Sequence, residues 1–129
     1  MVKKLYLLKM ERLMLIILLI LAMVFNILAQ IMLKHGINLI NLNGLGLQSL
    51  LKMVSSPYIW TGAFMYGISF IFYIFALSKG ELGRVSPVSQ ALTTLGIVAV
   101  SILIFHEPLT AFKVLGVILL IAGTIIIFY

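Results

Sequence analysis

Four apolar stretches, each about 21 residues long, constrain this chain more than any other feature: Leu13–Leu33, Tyr58–Ser78, Val85–Phe105 and Leu109–Tyr129. A helix needs roughly 20 apolar residues, rising 1.5 Å each, to cross about 30 Å of hydrocarbon. None of the four contains an acidic residue, and Lys113 lies close enough to the start of the last span to snorkel to the interface. The expected fold is therefore an all-α membrane bundle of four transmembrane helices with both termini on one side. Composition agrees: of 129 residues, 64% are hydrophobic and 9% charged, too little polar surface for a globule in water. That argues against a soluble enzyme, and no enzymatic activity is expected. Basic residues precede the first span as they would a signal peptide, but the apolar run is too long and has no small-x-small cleavage site, so it reads as a retained anchor.

Breakers and charges arrange the spans. Lys79–Arg84 and His106–Pro108 are tight turns punctuated by Gly80, Gly83 and Pro108, whereas His35–Pro57 is long. Within that long connection Leu47, Leu50, Leu51 and Val54 fall at i, i+3, i+4 and i+7, opposite Gln48, Ser49, Lys52 and Ser55. This spacing predicts a short amphipathic helix over residues 45–56 in the membrane interface, with an extended loop as the alternative. Lys3, Lys4, Lys9, Arg12, Lys79 and Arg84 flank one face, and Lys34, Lys52 and Lys113 the other. Six basic residues against three place both termini in the cytoplasm, at a plasma or inner membrane, and favour a parallel dimer over an antiparallel one. The net charge of +6 is thus assigned to membrane flanks and not to nucleic acid. No repeat or linker divides residues 1–129, which read as a single membrane domain.

In hydrocarbon a polar side chain is tolerated where it meets a partner helix or a wet cavity, so polar residues reveal which face of each span points inward. Asn26 and Gln30 share a face of the first span, and Tyr66, Ser69 and Tyr73 recur at i, i+3 and i+7 on the second. The third span carries Ser86, Gln90 and Thr93 at i, i+4 and i+7, flanked by Ser89 and Thr94, and Pro87 frees a nearby carbonyl. The fourth has Thr124 alone, with Gly116 and Gly123 offering a close-approach surface for another helix. Each element has a plainer explanation. Ser and Thr hydroxyls bond back to their own helix, Tyr joins interfacial belts, and amides pair between helices. Together the stripes predict a polar cavity between the first three spans.

Charge sits only at the rims. A phosphate or carboxylate would be held by Lys34 with His35 at one end or by Lys79 with Arg84 at the other, with Arg84 favoured because the start of the third helix adds N–H donors beside it. Ordinary topology determinants explain these residues equally well. Glu107 is placed at the start of the last helix, where a carboxylate complements the dipole. With no Cys, two isolated His and no carboxylate cluster, no metal site and no cofactor are expected. Glu11, Glu81 and Glu107 all lie at or outside helix ends, so proton exchange on a central carboxylate is not available.

Three segments carry a family resemblance: Ala29-Gln30-Ile31-Met32-Leu33-Lys34 closing the first span, His106-Glu107-Pro108-Leu109-Thr110, and the run from Gly116 to Gly123. In their order and spacing they resemble the drug/metabolite transporter (DMT) superfamily. The chain is similar to its four-helix members, the small multidrug resistance proteins and the short EamA-like subunits that flip undecaprenyl phosphate–aminoarabinose. The resemblance implies a four-helix protomer acting as a dimer, with a second copy or a paralogue, in which the first three helices line the substrate chamber and the fourth forms the dimer contact. In the multidrug branch an essential Glu stands eight residues before the Lys that ends the first motif; Asn26 stands there in this chain. That branch's third-helix Tyr and Trp correspond to Ser86 and Ser89. The flippase subunits resemble this chain in a carboxylate-free first helix with Gln30, in Pro87 and in His106–Pro108. The expectation is a flippase for a membrane lipid or small-molecule substrate, specifically a polyprenyl phosphate-linked sugar. Asn26, Gln30, Tyr66, Tyr73, Ser86, Ser89, Gln90 and Thr93 would meet the headgroup, and Arg84 or Lys34 the phosphate. A multidrug-type exporter of small metabolites or cationic drugs and a non-transporting accessory subunit are the alternatives.

Overall fold

The structure, a computed structural model, describes residues 1–41 and 44–128. The described residues form five helices: α1 (Val2–Ile40), α2 (Leu47–Ser55), α3 (Pro57–Leu77), α4 (Leu82–Leu103) and α5 (Ala111–Phe128). Of these, α1, α3, α4 and α5 are long and apolar enough to cross a membrane. The protein is a multi-pass helical membrane protein.

The first span is far longer than its apolar stretch. Expected over Leu13–Leu33, it runs through 39 residues, ~58 Å at 1.5 Å per residue and almost twice the hydrocarbon thickness. No Gly or Pro interrupts the chain from Val2 to His35, and Lys3, Lys4, Lys9, Glu11 and Arg12 are straight-chain helix formers, so the helix continues after the hydrocarbon stops. At the other end it passes Gly36 and stops at Asn41, whose left-handed backbone (φ 47°) ends the turn. The connection expected over His35–Pro57 is consequently mostly helical. The amphipathic segment forms α2, with Leu47, Leu50, Leu51 and Val54 all exposed along one side. Trp60 pins it to α3 by donating its indole N–H to the Val54 carbonyl (2.6 Å), and Pro57 opens α3 at a position where no N–H is needed.

The last two helices also shift. α4 begins at Leu82 and not Val85, because the Glu81 carbonyl accepts the N–H groups of Arg84 (3.0 Å) and Val85 (2.8 Å), and it ends at Leu103 instead of Phe105. α5 begins at Ala111 and not Leu109. Thr110 accepts the Lys113 N–H on its hydroxyl (3.2 Å), an N-cap that removes Glu107 from the role expected of it. Tyr129, the expected end of this span, lies outside the described residues. The Lys113 ammonium donates to the Pro108 carbonyl (2.7 Å), which holds it at the helix end.

The packed part of the bundle is α1 against α3, with α4 alongside and α5 on the outside of α4. Its buried apolar residues are mostly small: Ala22, Ala29, Ala76 and Ala91, with Leu19 and Val85. Small side chains let backbones approach, which is how membrane helices gain packing without a hydrophobic drive between them. Phe25 and Phe72 stack across the α1–α3 seam at 5.6 Å, and His35 meets Tyr58 edge-on at 4.8 Å near its far end.

Candidate functional site

The middle of the bundle holds a cavity of about 210 Å³ between α1, α3 and α4. Asn26, Tyr66, Ser69, Tyr73, Ser89, Gln90 and Thr93 line it with Ala22 and Phe70, and no Asp, Glu, Lys, Arg or His is among them. These residues meet because α1 and α3 approach closely. A Cβ built on Gly62 of α3 would lie 2.9 Å from Leu33 and 3.2 Å from the Ala29 carbonyl, so only glycine permits the contact. Ser69, buried in the seam, donates its hydroxyl to the Ala22 carbonyl (2.7 Å) and is thereby committed to holding α1 and α3 together. Asn26 differs: its Oδ1 is buried and has no hydrogen-bond partner. An unpaired buried acceptor costs about 1–3 kcal/mol, so a donor arriving in this cavity recovers energy the empty bundle forgoes. Gln90 and Thr94 are exposed on α4, so the polar lining continues to an open side of the bundle.

Gln30 does not share this cavity with Asn26, although the two are four residues apart. Gln30 and Lys34 line a second cavity of about 180 Å³, together with Ile27, Ile31 and, from α4 and the turn after it, Ile97, Val100, Ser101, Phe105 and Glu107. The α1 stripe is split: α3 and α4 side chains both meet Asn26, whereas only α4 and the turn after it meet Gln30. Glu107, freed from capping, turns inward here. Its N–H donates to the Ser101 carbonyl (3.0 Å), in a turn that the left-handed backbone of His106 (φ 54°) makes possible. The Ser101 hydroxyl donates back to Val98 of its own helix (2.9 Å).

At the opposite end, Arg12, Lys79 and Arg84 line a third cavity of about 410 Å³ with Glu81, Leu15, Leu19, Val85, Val88 and Phe128. Arg84 Nε lies 3.8 Å from Glu81, an exposed pair worth little to stability. The apolar cluster of Leu19, Ala76 and Val85, with Leu15, Leu18, Leu77 and Val88 around it, stands between this rim and the central cavity. Ser86 sits at the level of that cluster, one residue from Val85 and a full turn below Gln90, and it lines none of the three cavities. The stripe expected as Ser86–Gln90–Thr93 therefore contributes Gln90 and Thr93, with Ser89 in place of Ser86.

Of the ten expected substrate-site residues, the structure brings Asn26, Tyr66, Tyr73, Ser89, Gln90 and Thr93 together, places Gln30 with Lys34 and Arg84 apart, and leaves Ser86 out. A Cβ added at Gly116 or Gly123 on α5 would meet nothing within 4 Å among the described residues. Glu107 and Arg12 were missed as cavity residues. Glu107 lies in the turn between α4 and α5 and Arg12 in the part of α1 before its apolar stretch, where sequence spacing does not say which neighbour approaches. Among the described residues no cluster of three or more His, Cys, Asp or Glu is placed to hold a metal ion. Set against known proteins, the chain matches no family model, no curated protein and no solved structure.

Proposed function

We propose that this chain is the protomer of a dimeric membrane transporter, a flippase that moves a polar or lipid-linked substrate, in the first place a polyprenyl phosphate-linked sugar, through the central cavity. The observation that carries the reading is the buried, unpartnered Asn26 Oδ1 in a neutral polar cavity at mid-helix depth. Asn26 and Gln90 amides with the Tyr66 and Tyr73 hydroxyls present the mixed donors and acceptors that sugar hydroxyls require. The lipid chain would stay in the bilayer.

Size and exposure favour a second copy. Sites for drug-sized ligands occupy roughly 300–1,000 Å³, so the 210 Å³ of one protomer is a partial chamber. Amides are costly to leave facing lipid, and a partner protomer would cover Gln90. The partner, identical or a paralogue, would approach α5 through Gly116 and Gly123. The charge asymmetry between the two rims favours N- and C-termini in the cytoplasm of the cell membrane. Chemistry on bonds is not part of this function, and no cofactor is invoked.

The test is a proteoliposome assay with a fluorescent polyprenyl phosphate-linked hexose whose outer-leaflet pool is bleached by dithionite. Asn26→Leu is expected to slow translocation about tenfold while leaving the unfolding midpoint unchanged or raised, since it removes an unpaired buried acceptor. Wild-type translocation in Asn26→Leu and in Gln90→Leu alike would overturn the assignment of the cavity.

A further inference from the structure

The basic rim holds a second feature, distinct from the central cavity in every lining residue. Arg12 comes from α1, Lys79 from the turn after α3 and Arg84 from the first turn of α4, and all three converge on one cavity of about 410 Å³. Glu81 is its one acid, exposed and spent on a single 3.8 Å contact with Arg84 Nε. The side chains of Arg12 and Lys79 have no hydrogen-bond or ion-pair partner among the described residues. Counting basic residues for topology explains how many lie at this end. It does not explain why three from separate elements share one cavity while Lys3, Lys4 and Lys9 line other surface.

From this arrangement we infer that the Arg12–Lys79–Arg84 cavity is a binding site for the phosphate group of a membrane lipid. The ligand is an anion because three cations face one acid, and two guanidiniums present the planar forks that match phosphate oxygens. It is a lipid because the walls below the cations are apolar: Leu15, Leu19 and Val88 lead from the rim into the bundle. A soluble phosphate would leave that surface unused, whereas a headgroup at the rim with its chain running along it satisfies both. The inference rests on the transport reading only for what the bound lipid is used for. Binding itself is tested without transport.

The purified full chain in neutral detergent is titrated with dioctanoyl phosphatidic acid, dioctanoyl phosphatidylcholine and inorganic phosphate, with binding followed by native mass spectrometry. Saturable binding of phosphatidic acid is expected, well ahead of phosphatidylcholine and inorganic phosphate. Arg12→Gln, Lys79→Gln and Arg84→Gln should each weaken it on the order of fivefold, the scale of one basic residue near an anionic lipid. Lys3→Gln, which removes the same charge at the same end but outside the cavity, should leave it unchanged, and thermal unfolding checks that all four fold. Equal weakening by Lys3→Gln reduces the effect to general charge and overturns the site. Inorganic phosphate binding as tightly as phosphatidic acid overturns the lipid assignment. Because Asn26→Leu lies outside this cavity, loss of translocation with phosphatidic acid binding intact, or the reverse, shows which of the two readings has failed.

Discussion

Gly62 on α3 and Gly116 on α5 are the same residue in helices of similar length and apolarity, yet their surroundings are opposite. A methyl group at Gly62 would lie 2.9 Å from Leu33 and 3.2 Å from a backbone carbonyl; at Gly116 it would meet nothing within 4 Å. Gly62 belongs to the α1–α3 seam, which farther along α3 also holds a stacked Phe25–Phe72 pair and an interhelical hydrogen bond from Ser69 to Ala22. α5 buries no residue at all. The difference teaches that a small-residue position in a membrane helix marks close approach only where something approaches: α5 rests on α4, but not through Gly116 or Gly123. In the proposed transporter those two glycines face the second copy.

The sharpest way to break this comparison is to fill both positions. Gly62→Leu must displace Leu33 and the Ala29 backbone, an overpacking that costs about 1–3 kcal/mol, read as a lowered unfolding midpoint in detergent. Gly116→Leu should move the midpoint by less than about 0.5 kcal/mol, as surface substitutions do, while abolishing the crosslinked dimer. If Gly116→Leu destabilises as much as Gly62→Leu, the protomer depends on α5 and the contrast is wrong. A normal dimer in Gly116→Leu removes α5 from the proposed interface.

A smaller effect separates the two cavities beside α1. Gln90 faces the central cavity from its open side, while Gln30 faces Lys34 and Glu107. Gln90→Leu should slow translocation about tenfold, the loss of one or two hydrogen bonds to the substrate, and Gln30→Leu no more than about threefold. Equal losses would mean that the two cavities act as one chamber during the cycle.

The four spans were legible because hydrophobic length alone decides them, and the period of Leu47, Leu50, Leu51 and Val54 was enough to find α2. The ends of α1 were not. Hydropathy marks where a helix leaves the hydrocarbon, whereas the helix itself stops only where Asn41 turns left-handed. Site residues followed the same divide. Tyr66, Tyr73, Gln90 and Thr93 were readable as stripes, since helical period fixes a face. The separation of Gln30 from Asn26 was not, because spacing of four residues names a shared stripe and says nothing about which neighbouring helices meet it at each level. Ser86 illustrates the third gap, depth: it shares its face with Gln90 but lies at the level of the Leu19–Val85 cluster.

The smallest expected effect concerns Ser69, which lies on the closed side of the central cavity as Gln90 lies on the open side. Its hydroxyl reaches the Ala22 carbonyl, the acceptor that Asn26, four residues on, already uses within α1. Ser69→Ala therefore leaves that carbonyl with its helical partner, and the cost should be only about 0.6 kcal/mol, the average for such bonds between membrane helices. Translocation should fall less than twofold, since Asn26 keeps its place on an intact helix. A loss as large as that of Gln90→Leu, with stability hardly changed, would transfer Ser69 from the seam to the substrate. The closed wall would then be part of the binding surface, and the packed and open sides of the cavity would no longer differ in function.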